Sequence, residues 1–379
     1  MAIRKRYTQD GTVRYQVRVR YDDAAGKEQT LTATCRSRKD AERKERELLE
    51  RKDYGVGLGT GRQKLSDFLD EFVRDSAVRG LSPLTVNSYR RSYDVYVKPL
   101  VGNVRLEALT PAHVQAVITA AATGGHYRTG EPLKPRTLQK IRANLSAALS
   151  YGVKLRKLRL NPAEEAGKVK VPRERIEALT AEQIATVLAG CAAHSEQLGM
   201  AALLAVTCGL RRGELVGLRW ERVDLEKEVL RVEETVIELP GGGQARKEPK
   251  SADSLRTIPL PAVTVAALKE YRRRQVSRRH GGHVLDNARG GWYRPSDLSE
   301  DFSAVADACK VPVRLHGLRH QYASLLAMSG EDVKRLQYLM GHSSSRITLD
   351  TYCHLLPGVN RSSADKIDEA LAAPIAAAK

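Results

Sequence analysis

Arg211, Lys250, His316, Arg319, His342 and Tyr352 are residue types that can hold an anion and move protons around it, and all lie in the second half of the sequence. Arg211 stands in Gly209-Leu210-Arg211-Arg212-Gly213-Glu214-Leu215, at the end of an apolar run over 198–210. A guanidinium at the end of a buried helix is held rigidly and offers two parallel donors to phosphate oxygens. Lys250, within Pro249-Lys250-Ser251, lies between two stretches of strand character, where a flexible cationic side chain reaches into a cleft. His316 and Arg319 are three residues apart in His316-Gly317-Leu318-Arg319-His320, so on a helix they share a face and converge on one anion. His320 falls about a hundred degrees round the helix from Arg319. Gly341 suits the left-handed cap of the amphipathic helix before it and throws His342 out past the helix end. Tyr352 closes Thr348-Leu349-Asp350-Thr351-Tyr352, a short helical stretch late in the chain. Each has a plainer reading by itself: Arg212 as half of a surface arginine pair, Lys250 as an ordinary lysine, His316 as a core histidine beside a salt-bridged Arg319. Only the set, gathered in one region, points to phosphate chemistry.

The elements that must position these residues follow from local signals. Thr180 with Gln183 forms a capping box that opens the region. Residues 229–239 and 255–260 have extended character, the loop 241–254 between them carries Lys250, and beyond Pro261 the pattern is helix and turn. Upstream, 168–175 is short, basic and holds Pro172, the composition of a linker. Residues 64–168 are helical in pattern, with starts at Ser66 before Asp67, Ser82 before Pro83 and Thr110 before Pro111. A Gly- and Pro-punctuated loop over 123–135 precedes an apolar stripe of Leu138, Ile141, Leu145, Ala148 and Leu149, and Asn161-Pro162 closes the unit. Tyr89, Tyr93 and Tyr96, interleaved with Arg90 and Arg91, either pack in a core or clasp DNA. Nearer the N-terminus, Val13, Tyr15, Val17, Val19 and Tyr21 alternate with Arg14, Gln16, Arg18 and Arg20, a strand with one packing and one cationic face. That cationic face is either a solvated edge or a DNA contact. A second strand near 29–34 follows, and Ser37 with Asp40 caps a charged helix to about Lys52.

Lysine and arginine total 63 against 45 acidic residues, a net charge of +18, which asks for a polyanionic partner, nucleic acid before a membrane surface. A chain of 379 residues exceeds one ordinary core and implies two or three domains. No apolar run reaches the roughly 18 to 20 residues of a spanning helix; 198–210 is broken by Gly199, Thr207 and Gly209 and reads as a buried helix. Arg4, Lys5 and Arg6 lead into no apolar stretch, so the N-terminus is no secretory signal and the expected location is cytoplasmic, at the nucleoid when bound to DNA. Cys35, Cys191, Cys208, Cys309 and Cys353 are scattered without a CxxC pair and read as reduced packing residues. There is no GxxxxGK[ST] loop and no metal-ligand spacing, so neither a nucleotide nor a metal cofactor is expected.

In order as well as type, these residues resemble the tyrosine recombinases, the family of phage integrases and of recombinases that resolve chromosome dimers. Arg211 is similar to the family's first arginine, Lys250 to its hairpin lysine, His316 and Arg319 to its HxxR pair, His342 to its second histidine and Tyr352 to its nucleophile. Gly213-Glu214-Leu215, Arg256-Thr257-Ile258-Pro259-Leu260, Leu318-Arg319-His320 and Gly341-His342-Ser343-Ser344 agree around them. The resemblance is specific over 175–356. Residues 64–168 are similar to the family's helical core-binding domain in pattern, and the first 60 residues to the arm-binding domains of some integrases only in kind. It implies a mainly α fold with small β-sheets (α+β). An arm-binding-like sheet and helix module would occupy 1–61, a helical core-binding domain 64–168, a linker 169–178, and a mixed α/β catalytic domain of the tyrosine recombinase type 179–379.

The chemistry of a phosphodiester suits each matched residue. Charge grows on its oxygens in an in-line pentacoordinate transition state, so Arg211 and Arg319 would be preorganised clamps, with His316 and His342 donating to the same phosphate. A phenol, of pKa about 10, is a poor nucleophile until its proton is taken, a role that falls to His316; Lys250 would protonate the leaving 5'-oxygen. The implied activity is site-specific recombination of double-stranded DNA at attachment sites, by an integrase of a phage or mobile element acting as a homotetramer on DNA. Arg14, Arg18, Arg20, Arg90 and Arg91 would be further DNA contacts, and a directionality factor and a host DNA-bending protein further partners. A type IB topoisomerase-like relaxing enzyme and a catalytically silent DNA-binding protein are the alternatives. After Tyr352, Ser362 with Asp365 can cap a helix through Ile367, Ala370 and Leu371 that packs on its own domain or docks on a neighbouring protomer.

Overall fold

Alternation near the N-terminus yields an antiparallel sheet of order β1-β2-β3, with β1 at Ala2–Tyr7, β2 at Val13–Asp22 and β3 at Glu28–Cys35. The computed structural model describes residues 2–8, 10–22, 28–53, 63–125, 129–172, 178–247, 255–276, 282–287 and 291–355. It divides the chain into two compact units, Met1–Arg173 and Glu174–Lys379. The loop position of Lys250 and the tail residues Ser362, Asp365, Ile367, Ala370 and Leu371 lie outside the described residues.

In the first unit the sheet packs Val17 and Val19 of β2 against Ala41 and Leu48 of α1 (Arg38–Asp53). The Asp40 backbone N–H donates to Ser37 Oγ at 3.0 Å, the expected cap. β1 has no strand signal in the sequence. Arg4, Lys5 and Arg6 interrupt any apolar alternation, and the strand exists because its backbone pairs with β2, Arg4 opposite Gln16 and Arg6 opposite Arg14. Directly paired residues share a face, so Arg4 and Arg6 join Arg14, Arg18 and Arg20. β3 adds exposed Thr30, Thr32 and Thr34 opposite Arg20, Arg18 and Gln16.

The same unit holds α2 (Leu65–Val78), α3 (Pro83–Ser92), a π-helical turn over Tyr93–Val97, α4 (Lys98–Val101), α5 (Pro111–Gly124), α6 (Pro135–Lys154) and α7 (Pro162–Glu165). Starts at Ser82 and Thr110 are as expected. α2 begins earlier than the Ser66 cap implied. The N–H groups of Leu65 and Ser66 donate to the carbonyls of Val104 and Gly102 at 2.9 and 3.0 Å, so a neighbouring backbone stretch satisfies donors that a side-chain cap would serve. Asn161 likewise opens α7, accepting from the Ala163 N–H, rather than ending the unit. The stripe of Leu138, Ile141, Leu145, Ala148 and Leu149 is buried against Phe68, Phe72 and Val117 in one core. Tyr93 belongs to that core, 1% exposed with its hydroxyl donating to the Asn144 carbonyl at 2.6 Å, so it does not clasp DNA. Tyr89 stacks on it with ring centroids 6.1 Å apart, while Arg90 and Arg91 are exposed.

The second unit is organised around α9 (Glu196–Cys208), whose Leu198, Ala201, Ala202, Leu204 and Ala205 are fully buried between α8 (Ala181–His194), α11 (Ala262–Val276) and α13 (Leu315–Met328). α10 (Arg212–Gly217), α12 (Pro295–Ala308), α14 (Val333–Met340) and α15 (Ser345–Tyr352) complete its helices. A sheet of order β4-β5-β8 is formed by Val223–Asp224, Val229–Val232 and Arg256–Pro259. A separate hairpin pairs β6 (Thr235–Glu238) with β7 (Gln244–Lys247). β7 falls in what the sequence pattern marks as loop. Gly241, Gly242 and Gly243, at φ of 89°, 100° and 85°, turn the chain back so that polar residues without strand alternation still pair. All five cysteines are free; Cys191 and Cys208 are buried as expected, but Cys353 is exposed. Among the described residues no helix is long and apolar enough to cross a membrane.

Candidate active site

The site forms where the end of α9 meets the end of α14. α9 stops at Gly209, left-handed at φ 62°, where a Cβ would collide with the Tyr322 ring; its freed carbonyl accepts from Arg319 Nη1. The chain then enters α10 at Arg211. The Glu214 carboxylate caps it, Oε2 accepting from the Arg211 backbone N–H and Oε1 from Arg211 Nη1, both at 2.8 Å. The same carboxylate receives Arg256, the first residue of β8, through Nη1 at 3.1 Å and Nη2 at 2.7 Å, a bidentate pair with side chains 0% and 4% exposed. Arg319 Nη1 lies 3.9 Å from Oε2 of the same carboxylate. Burial would raise the Glu214 pKa, but Arg256, then Arg211 and Arg319, bring it down to about 2.

The last carbonyls of a helix have no partner within it and carry its negative end. At α14 three of them are taken by arginines: Leu339 by Arg256 Nε at 2.8 Å, Met340 by Arg319 Nη2, and Gly341 by Arg211 Nη2 at 2.6 Å. Gly341 is left-handed at φ 56°, and a Cβ there would meet Arg256 Nη1 at 2.9 Å and Arg211 Nη1 at 3.3 Å, so both conformation and space require glycine. The return bond from the His342 N–H to the Gln337 carbonyl, 3.1 Å, locks the turn and sets His342 beside the arginines. Three guanidinium charges thus face one carboxylate and one helix end, which leaves the cluster cationic. Arg256 and Arg319 are its buried floor; Arg211, its side chain 36% exposed, and the exposed His316 are its open side.

His342 Nδ1 is 3.0 Å from the buried hydroxyl of Thr348, and burial, followed by Arg319 and Arg211, lowers its pKa to about 4. It is therefore neutral at physiological pH. With Thr348 donating to Nδ1, the Nε2 proton is left to donate to a bound anion. Tyr352, at the end of α15, is 1% exposed, and burial raises its phenol to about 12 against a lowering influence of Arg319. Its hydroxyl lies 2.6 Å from Nδ1 of His320. His316, to which the sequence assigns the phenol proton, meets the ring of His320 edge-on at 4.7 Å between centroids, and the hydroxyl's hydrogen bond goes to His320. Residues 316 and 320 are one helical turn apart, about forty degrees round the axis. Either could have faced Tyr352, and the direction from which α15 arrives decides between them.

The structure therefore brings together Arg211, His316, Arg319, His342 and Tyr352. Arg14, Arg18 and Arg20 share one strand face in the other unit, where Arg90 and Arg91 lie on α3. Three site residues were not assigned from the sequence: Glu214, Arg256 and His320. Arg256 had a signal, since it takes an inward register of its strand with Ile258, where a charge is out of place unless paired. Glu214 had one in its position three residues after Arg211.

Residues 177–358 match the Phage integrase family. A "Tyrosine recombinase XerC-like" protein of Caldanaerobacter subterraneus subsp. tengcongensis is 26% identical, the match covering 97% of this chain and 99% of that protein. The ICEBs1 integrase of Bacillus subtilis is 23% identical over 63% of this chain and 67% of its own length. Among solved structures, the Tn1549 transposon integrase in complex with transposon right end DNA aligns with a TM-score of 0.68 at 20% identity, covering 82% of this chain and 100% of that one. A lambda integrase from a tetramer bound to a Holliday junction aligns at 0.58 and 20% identity, over 90% of this chain and 96% of that one. The family match spans the whole arginine, histidine and tyrosine cluster, so residues 177–358 belong to the phage integrase family, and the chain is similar almost end to end to a tyrosine recombinase.

Proposed function

We propose that this protein is a site-specific DNA recombinase, an integrase of a phage or mobile element, that cuts and rejoins DNA through a phosphotyrosine at Tyr352. The observation that carries the reading is the cationic cluster of Arg211, Arg256 and Arg319 around Glu214 and the α14 end, with the Tyr352 hydroxyl held beside it. Such fixed donors favour an anion whose charge grows during reaction, and they need no reorganisation as it does. Attack of Tyr352 Oη on the scissile phosphorus breaks the bond to the 5'-oxygen and leaves a 3'-phosphotyrosyl enzyme. That ester keeps the energy of the broken bond, so the 5'-hydroxyl of another strand can reverse the step without ATP. Lys250 is assigned to protonating the leaving 5'-oxygen.

Recombination needs two duplexes cut together, hence four protomers on paired attachment sites, with a directionality factor and a host bending protein as candidate auxiliaries. A supercoiled plasmid carrying two attachment sites from the DNA flanking the gene should give recombined circles or deletion products with the purified protein. Relaxation of any plasmid, with no exchange and no dependence on those sites, would make the protein a topoisomerase instead.

The sheet face of Arg4, Arg6, Arg14, Arg18 and Arg20 is assigned to a second class of DNA site, since five arginines gathered on the paired strands β1 and β2 suit the phosphates of a duplex. Removing 1–61 should leave cleavage of isolated core sites within about twofold while integration between complete attachment sites falls tenfold or more, the scale expected when two linked binding units are reduced to one (roughly 10²–10⁴ at most). Integration unchanged by the deletion would leave the sheet face without a DNA role.

A further inference from the structure

Building on the recombinase reading, we infer that His320 is the catalytic residue that takes the Tyr352 proton during strand cleavage. Its Nδ1 is the atom bonded to the nucleophilic hydroxyl, at 2.6 Å, within a pair of rings whose centroids are 5.9 Å apart. The His316 ring meets that of His320 edge-on at 4.7 Å between centroids, and of the two His316 is exposed while His320 is half-buried. The division of labour follows from place. His316, exposed beside Arg211 and Arg319, faces the anion, and His320, one turn further along α13 and half-buried, faces the phenol.

In the attack, the bond from Tyr352 Oη to phosphorus forms as the bond from phosphorus to the 5'-oxygen breaks. The phenol proton passes to His320 Nδ1, and the leaving oxygen takes a proton from Lys250; in rejoining, His320 returns the proton to the tyrosine. This requires a neutral ring carrying its own hydrogen on Nε2. The groups facing it are Tyr352 from α15, His342 after α14, and His316 and Arg319 on its own helix. Burial first, then His316 and Arg319, hold its pKa at about 4, so the acceptor lone pair is present throughout the working range of pH.

The test is single-turnover cleavage of a nicked attachment-site duplex, which traps the adduct, with unaltered protein, His320→Asn, His320→Ala, His316→Asn and Lys250→Ala. Asparagine can keep a hydrogen bond to the hydroxyl but cannot accept its proton. His320→Asn should bind the duplex normally and cleave about a hundredfold or more slowly, the scale of a lost general base. Its deficit should shrink as pH rises from 7 to 9.5, because the tyrosinate fraction grows about tenfold per pH unit, and added imidazole should restore part of the rate to His320→Ala. A duplex with sulfur as the bridging 5'-atom should rescue Lys250→Ala but not His320→Asn. Cleavage by His320→Asn at or above the unaltered rate, or a deficit independent of pH, would overturn the inference. So would alkaline rescue confined to His316→Asn. If the substitutions compromise folding, ¹⁵N NMR of the unaltered protein decides the matter: Nδ1 of His320 must be unprotonated, and a protonated Nδ1 would refute its role as acceptor. Failure of the unaltered protein to form any adduct on the nicked duplex would instead remove the recombinase reading on which this one stands.

Discussion

Tyr352→Phe should form no denaturant-resistant complex with a nicked attachment site, while binding that site within about twofold of the unaltered protein. The substitution removes one oxygen from a side chain that is 1% exposed and packed with Leu336, Leu339 and Met340, so the apolar ring keeps its place. The hydrogen bond to His320 is lost, at a cost of about 1 kcal/mol to stability. Both faces that would meet the DNA phosphates are untouched, because Arg211, Arg319 and His342 are held by Glu214, by the α14 carbonyls and by Thr348 rather than by the phenol. Catalysis and binding should therefore separate cleanly, the first falling below detection and the second remaining. Trapping on the nicked duplex and a gel shift on the intact one measure the two. An adduct that persisted in the phenylalanine variant would mean that the attacking atom lies elsewhere in the chain.

The parts of this site that were legible in the sequence are those whose chemistry is unusual for their position. An arginine directly after an apolar helix, a histidine and arginine three apart, and a glycine before His342 each announce themselves, and the structure gives each a physical reason. Elements with strong local signals were legible too: the capping boxes at Ser37 and Thr180, the proline starts at Pro83 and Pro111, the stripe from Leu138 to Leu149. What escaped was decided at a distance. β1 has no pattern of its own and is a strand because β2 offers it an edge. The start of α2 is set by carbonyls of Gly102 and Val104, nearly forty residues along. Whether His316 or His320 meets Tyr352 depends on how α15 crosses α13, and nothing in the spacing of either helix records that. Glu214 looked like a bystander of the arginine motif, yet it is the residue on which three arginines converge.

That convergence makes Glu214 the residue whose loss should cost the second unit most. Among the described residues, Glu214 is the one carboxylate against Arg256 and Arg319, whose side chains are 0% and 2% exposed, so Glu214→Ala leaves two buried guanidinium groups without a counter-charge. Breaking one side of a buried, hydrogen-bonded ion pair costs about 3–5 kcal/mol, which for a unit of this size lowers its melting temperature by roughly 6 to 20 °C. The folded carboxyl titrates near 2, below its ordinary 4.5. Its contribution is therefore fully present above about pH 4.5 and is lost as the pH falls from there towards 2. The variant should accordingly be destabilised most at neutral pH and differ less and less from the unaltered protein as acid is added. Replacing the pair, Glu214→Leu with Arg256→Met, should be more stable than Glu214→Ala alone, because it removes one of the two stranded charges and leaves only Arg319 without its carboxylate. Cleavage should not return with stability. Glu214 also holds Arg211 through its backbone N–H and its guanidinium, so a folded double variant would still present that arginine poorly placed, at a loss of about a hundredfold, the scale of one misdirected donor at a growing oxyanion. Thermal melts across pH 3 to 8, followed by cleavage assays well below the melting point, measure both effects. A neutral-pH melt within about 2 °C of the unaltered protein, well short of the shift expected for a stranded buried charge, would show that the arginine cluster is held by something other than this carboxylate.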